Sequence, residues 1–125
     1  RQLMTVSEVN GKKAITNYST VKIFNIKDVP KISLLECVLE TGRTHQIRVH
    51  LDHISHPVLG DPLYGHGYKT RVNKLKSTIK ILVEKHGNTQ ALHAYKLGFE
   101  HPITNKNLIF ETDPPETMKK IIESF

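Results

Sequence analysis

Arginine, histidine and glutamine crowd one short stretch of this chain: Glu40-Thr41-Gly42-Arg43-Thr44-His45-Gln46-Ile47-Arg48-Val49-His50-Leu51. At or just inside a helix N-terminus, Arg43, His45, Gln46, Arg48 and His50 meet free backbone N–H groups and the positive end of the helix dipole, a setting that suits phosphate. A guanidinium forks onto phosphate or carboxylate, while amide and imidazole groups bond ribose hydroxyls or base edges. His45, Arg48 and Asp52 stand at i, i+3 and i+7, on a stripe apart from Ile47, Leu51 and Ile54. Spacing alone also allows a purely local reading, and favours it: Arg48 pairs with Asp52 as a solvated helix salt bridge worth about 0.3–0.5 kcal/mol. A metal is a third possibility, because His50, His53 and His56 follow at intervals of three. A helical metal pair normally stands at i, i+4, and neither a cysteine cluster nor a nearby glutamate accompanies these histidines, so no metal is expected. His93 and His101 are expected to be structural, and His66 and His86 to lie on the surface.

The elements that must position this stretch are legible on either side of it. Residues 3–9 and 12–24 alternate as strands, joined at Asn10-Gly11, a hairpin signal because both residues tolerate positive φ. Asp28-Val29-Pro30 breaks the chain, and residues 31–40 form another strand with Leu35, Cys37 and Leu39 on one face. Thr44 is expected to cap a helix running to about Ser55, with Ile47, Leu51, Ile54 and Val58 as its buried stripe. Gly60-Asp61-Pro62-Leu63-Tyr64-Gly65 is a tight loop in which Asp61 is expected to accept backbone hydrogen bonds rather than to act as an acid. A second helix follows residues 66–74, with Leu75, Ile79, Leu82 and Val83 inward and Gly87 as its stop. Residues 92–99 and 107–112 read as a hairpin, and Asp113 caps a last helix whose packed face is Met118, Ile121, Ile122 and Phe125. Repeated hairpins with helices packed on them predict an α+β domain with a mainly antiparallel sheet.

Composition narrows the partners. The chain has 125 residues, enough for one domain or part of one, and it opens with Arg1 inside a strand pattern, the look of a fragment. It shows neither a secretory or transit segment nor an apolar run of the ~20 residues a membrane span needs, so no membrane is expected. A net charge of +6 points to a polyanion, nucleic acid before an anionic membrane. Lys69, Arg71, Lys74, Lys76, Lys80 and Lys85 could hold the phosphates of such a polyanion, although for each of them singly a solvated lysine-rich face is the favoured reading. Cys37, the single cysteine, excludes an internal disulfide and reads as a buried strand residue, which suits a reducing, cytoplasmic setting.

Gly42 to Leu51, then His53-Ile54, His56-Pro57 and Gly60-Asp61-Pro62-Leu63-Tyr64-Gly65, closely resembles the long C-terminal motif of RluA-family RNA pseudouridine synthases. Leu92-His93-Ala94, Leu97, Phe99 and His101-Pro102 resemble that family's following strand, and the Pro114-Pro115 helix start fits as well. The overlap spans residues 14–125, and the length of residues 66–90 leans toward the RluC-like branch and a 23S ribosomal RNA substrate. The resemblance implies the C-terminal portion, residues 1–125, of a single pseudouridine synthase catalytic domain, an isomerase that detaches uracil from C1′ and rejoins it through C5. It implies RNA as partner, no cofactor or metal, and a monomer when intact. The family's aspartate lies in a segment reading roughly Arg-x-Leu-Asp-x-x-Thr-Ser-Gly, which this chain lacks; Asp28, Asp52, Asp61 and Asp113 have other neighbours. The fragment is therefore expected to be inactive alone. Arg48 matches the arginine that pairs with that aspartate, Leu51 an apolar pocket position, and Arg43, Thr44, His45 and Gln46 contacts to RNA or supports of the pocket wall. Asp52 and Ser55 depart from the small residues usual in the family, so Asp52 stays a competitor for Arg48. Three other outcomes are distinguishable: a non-catalytic RNA-binding module, by the upstream sequence; a histidine-based metal or hydrolytic protein, by elemental analysis; and a bare structural domain, by the absence of salt-dependent RNA affinity.

Overall fold

At Asn10 and Gly11 the backbone takes positive φ, 54° and 74°, as the primed turn of a two-residue hairpin requires. In this computed structural model the turn joins β1 (Gln2–Val9) to β2 (Lys12–Phe24), with Val9 opposite Lys12 and Gln2 opposite Ser19. The structure describes residues 2–24, 31–65, 75, 77–87 and 89–124, with side chains from Ser7 onward. The expected break at Asp28-Val29-Pro30, the basic stretch 66–74 with His66, and Lys76 and Phe125 lie outside the described residues.

Strand β3 (Ile32–Leu39) pairs antiparallel with β2, closing a three-stranded sheet in the order β1-β2-β3. The register steps between Thr20 and Lys22, so Val21 is an extra residue on β2 and its side chain is exposed. Helix α1 (Gln46–His53) lies against β1 and β2. Helices α2 (Ser77–Lys85) and α3 (Glu116–Glu123) pack on each other, and between them β4 (Lys96–Glu100) and β5 (Asn107–Glu111) form a separate antiparallel hairpin. The architecture is α+β with antiparallel sheets, as the pattern of hairpins and helices predicts.

The apolar core is Leu75, Ile79, Val83 and Ile121, with Ile32, Leu59 and Leu82 packed against it. The expected inward face of α2 is therefore the observed one. Gly87, at φ 81°, ends that helix by giving its N–H to the Glu84 carbonyl. The hairpin differs. Its residues are almost all exposed, including Leu97, Phe99, Ile109 and Phe110, with Phe99 and Phe110 stacked at 5.9 Å. Tyr95 ties it to β3 through a 2.6 Å hydrogen bond from its hydroxyl to Glu36.

Several boundaries are corrected. The first strand of the hairpin starts at Lys96 and not at Leu92, because the backbone before it bonds elsewhere: Ala91 N–H to Leu59 O and Leu92 N–H to Gln90 O. Asp113 does not cap the last helix. Pro115 holds the N-cap position, and Asp113 is an exposed partner of Lys119 at 3.5 Å. Thr44 does not cap α1 either, since His45 holds that position in the left-handed region at φ 52°. His86 is half-buried, its Nδ1 2.7 Å from the Thr117 hydroxyl, where it joins the end of α2 to α3. His101 accepts the Ile103 and Thr104 N–H groups on Nδ1 and so shapes the β4–β5 turn.

Candidate active site

Helix α1 turns an unusual face inward. Its buried residues are Gln46, Arg48, His50 and Leu51, whereas Ile47 and Ile54, expected in the buried stripe, are only half-buried. Three of the four buried side chains are polar, and burying such groups is tolerable only when partners wait for them.

Gln46 is fully satisfied. Its amide nitrogen donates to the Ile15 carbonyl and to the Thr16 hydroxyl, each at 3.0 Å, and its oxygen accepts from the Thr41 hydroxyl at 2.7 Å and the Arg43 N–H at 3.0 Å. All four hydrogen-bonding positions of the amide are taken by the protein itself. These bonds fasten the start of α1 to β2. The Thr16 hydroxyl, which accepts from Gln46, also lies 2.7 Å from His50 Nδ1. His50 Nε2 is buried without a partner among the described residues. Burial, and next the nearby His53, push the His50 imidazole below its ordinary pKa.

Arg48 does not pair with Asp52. Its Nε donates to Asp61 Oδ2 at 2.7 Å and its Nη2 to Asp61 Oδ1 at 2.9 Å, a bidentate pair with Asp61 wholly buried and Arg48 nearly so. The local Arg48–Asp52 pairing is overturned, because the carboxylate thirteen residues on offers two parallel bonds out of water. Asp61 Oδ1 also accepts the Leu63 N–H at 2.9 Å and the Tyr64 N–H at 3.2 Å, so it holds its loop as expected. The Arg48 guanidinium, helped by those backbone bonds and opposed by burial, lowers the Asp61 pKa to about 2. Asp61 in turn holds Arg48 above its ordinary value.

Tyr64 completes the cluster. The Arg48 guanidinium carbon lies 5.0 Å from its ring centre, and its hydroxyl is 2.8 Å from His45 Nδ1, with the two rings edge-to-face. The left-handed backbone of His45 aims its ring at Tyr64. Gly60, at φ 81°, lets the loop approach residues 89–91, since a Cβ there would collide with the Thr89 carbonyl oxygen.

Among the other expected residues, Arg43 is exposed, its Nε on the Lys13 carbonyl at 3.1 Å. Thr44 is exposed beside it, and Leu51 is buried at 7 % exposure. Lys80 and Lys85 lie on α2, while Lys69, Arg71, Lys74 and Lys76 fall outside the described residues. Sequence reasoning missed the roles of Thr16 and Tyr64. The only signal was indirect: polar residues on a helix that must bury a face need polar partners. Among the described residues, no group of three or more His, Cys, Asp or Glu side chains is placed to hold a metal, and no helix is long and apolar enough to cross a membrane. Cys37 is half-buried, and burial, with Glu36 beside it, raises its thiol pKa.

With this geometry in hand, comparison with known proteins is specific. The RNA pseudouridylate synthase family model matches residues 1–53. The ribosomal large subunit pseudouridine synthase D of Zymomonas mobilis is 40% identical over 123 residues, covering 98% of this chain and 35% of that protein. The uncharacterized RNA pseudouridine synthase YlyB of Bacillus subtilis is 43% identical over 99% of this chain and 34% of its own length. The ribosomal large subunit pseudouridine synthase D of Neisseria meningitidis serogroup A is 38% identical over 98% and 30%. The chain thus spans about a third of the length of these curated relatives.

Proposed function

We propose that this chain, which belongs to the RluA family of RNA pseudouridine synthases, supplies the arginine side of an active site whose catalytic aspartate lies outside these 125 residues. The whole protein would isomerise uridine in RNA: the C1′–N1 bond breaks, a C1′–C5 bond forms, the C5 hydrogen leaves to solvent, and N1 gains a proton. The relatives named for the ribosomal large subunit support a ribosomal RNA substrate, and they bear the letter D, so they do not single out the RluC-like branch. The observation behind this reading is a nearly buried, bidentate-held arginine at the position where the family motif places its catalytic partner. A carboxylate in a closed pocket filled by a base tends to take up a proton, and an adjacent guanidinium keeps it ionised and oriented.

In this reading residues 1–125 are the C-terminal portion of one catalytic domain. The limited coverage of the relatives supports that, as do the exposed Leu97, Phe99, Ile109 and Phe110 of the hairpin, which a larger domain would cover. Arg43, Thr44 and His45, all exposed at the start of α1, would meet RNA, and Leu51 would back the pocket wall. The intact enzyme would work as a monomer in the cytoplasm, without cofactor or metal.

The test is tritium release from 5-tritiated uridine in ribosomal RNA by the intact protein. Release is expected from the parent, a fall of about 100-fold or more with Arg48→Ala, and none from the 125 residues alone. A folded intact protein that binds RNA in a salt-dependent way but releases no tritium would be an RNA-binding module instead.

A further inference from the structure

We infer that Asp61 is a positioning residue: it locks the side-on edge of the Arg48 guanidinium so that the end-on edge stays open, at a fixed angle, for a second carboxylate. This rests on the proposed activity and deepens it, because that activity needs an aspartate from elsewhere in the protein to meet Arg48.

An arginine has five N–H donors in one rigid plane. Asp61 takes the Nε hydrogen and one Nη2 hydrogen, which form the side-on edge. The second Nη2 hydrogen and both Nη1 hydrogens remain. Nη1 has no partner among the described residues, and the Arg48 side chain keeps 10 % of its surface exposed. The unused Nη1/Nη2 edge is itself a fork, able to give two parallel bonds to a carboxylate.

Every joint behind that edge is fixed. Asp61 cannot swing, because Oδ1 also accepts the Leu63 and Tyr64 N–H groups and the side chain is wholly buried. The Tyr64 ring covers one face of the guanidinium and is held by His45. The loop itself is pinned by the close approach at Gly60 and by the 2.7 Å bond from Ala91 N–H to Leu59 O. Side chains locked by packing and by hydrogen bonds at their far side are what holds a reacting group within the small tolerance that catalysis demands.

The pairing also sets the charge. Arg48 with Asp61 is close to neutral overall, so a carboxylate arriving at the open edge is oriented and kept ionised by the N–H bonds it accepts, with net charge adding less than an unpaired arginine would. Among the described residues the titratable groups acting on Arg48 are Asp61 and Tyr64, with His45 one hydrogen bond further. Removing the Asp61 charge should therefore do two opposite things to the intact enzyme. Orientation is lost, so turnover falls. Positive charge is gained next to the catalytic carboxylate, so that group becomes easier to ionise.

The experiment measures tritium release against pH for the intact enzyme, its Asp61→Asn variant and its Asp61→Glu variant. Asp61→Asn is expected to lower kcat about 10- to 100-fold with little change in KM, and to move the acid limb of the profile to lower pH. Asp61→Glu keeps the charge but displaces the fork, so kcat should fall while the acid limb stays in place; it serves if Asp61→Asn does not fold. A folded Asp61→Asn enzyme with an unmoved acid limb, or an Asp61→Glu enzyme with parental kcat, would overturn the inference. An inactive parent enzyme would instead sink the proposed function itself.

Discussion

Two interiors in this chain are built on different physics. Around α2 and α3, Leu75, Ile79, Val83 and Ile121 exclude water with no polar group among them. Around α1, the buried polar set is Thr16, Gln46, Arg48, His50 and Asp61, tied to one another by bonds that reach across 13 to 34 residues of sequence. Apolar burial is non-directional and tolerates small shifts. Hydrogen-bonded burial fixes angles, and each donor is stranded if its acceptor leaves. The directional interior surrounds the Arg48 guanidinium, whose plane the two bonds to Asp61 fix, and the non-directional one lies where two helices need only stay together.

The largest effect should come from breaking the charged pair. Asp61→Ala leaves the Arg48 charge unpaired and is expected to cost about 3–5 kcal/mol. Ile79→Ala, at a side chain 2 % exposed, is expected to cost about 2–5 kcal/mol through lost burial and a cavity. The two respond differently to a second change. Replacing Arg48 by Met in the Asp61→Leu background removes the stranded charge and should recover part of the loss, the remainder being the Leu63 and Tyr64 N–H groups left without their acceptor. No partner substitution should rescue Ile79→Ala in that way. Denaturant midpoints of the intact protein read both, and a double variant as unstable as Asp61→Ala would erase the contrast.

Acid should separate the same two interiors. The Asp61 carboxyl is held at about 2 when folded, against 3.8 ordinarily, so between those values the unfolded chain binds a proton that the folded chain does not. Stability from this group is fully present above about pH 5 and is lost as pH falls through that window, about 2 kcal/mol in all. His50 adds to the slope in the same direction from higher pH, since its lowered pKa lets the unfolded chain protonate first as pH drops below about 6.5. Denaturant midpoints measured against pH should therefore fall in acid for the parent and for Ile79→Ala alike, and flatten between pH 4 and 2 for Asp61→Asn. An unchanged acid slope in Asp61→Asn would remove Asp61 from the account of the directional interior.

What the sequence disclosed follows from this division. The Asn10-Gly11 turn, the inward face of α2 and its stop at Gly87 are local facts, set by φ and by periodicity, and they could be read directly. The motif around Arg48 was recognisable, and so was the loop-holding role of Asp61. The partner of Arg48 was not, because spacing sees only neighbours one turn away, such as Asp52, and not a carboxylate brought back by a loop. The same blindness promoted Ile47 and Ile54 over Gln46 and His50 as buried residues, since Ile15 and Thr16 on β2, with Thr41 and Arg43 ahead of the helix, make those polar side chains welcome inside. Thr44 had the right chemistry for a cap, but His45 takes the left-handed turn that brings its ring to Tyr64.

The smallest test compares how the two regions end their helices. Both ends use a residue in the left-handed region whose N–H reaches back three residues: Gly87 at φ 81° to Glu84, and Ser55 at φ 64° to Asp52. At α1 the His56 N–H also bonds Leu51 O at 2.8 Å, completing a Schellman closure, and Pro57 prevents continuation. Glycine adopts this conformation without cost, whereas an L side chain pays roughly 1–2 kcal/mol there. Ser55 is exposed, so its side chain gains little packing in return. Ser55→Gly should accordingly raise the denaturant midpoint by less than about 1 kcal/mol, because the added freedom of the unfolded chain offsets part of the relief. Gly87→Ser should lower it by about 1 kcal/mol. If Ser55→Gly instead lowered the midpoint, Ser55 would be contributing to the directional interior of α1 in a way that the open position of its side chain does not suggest.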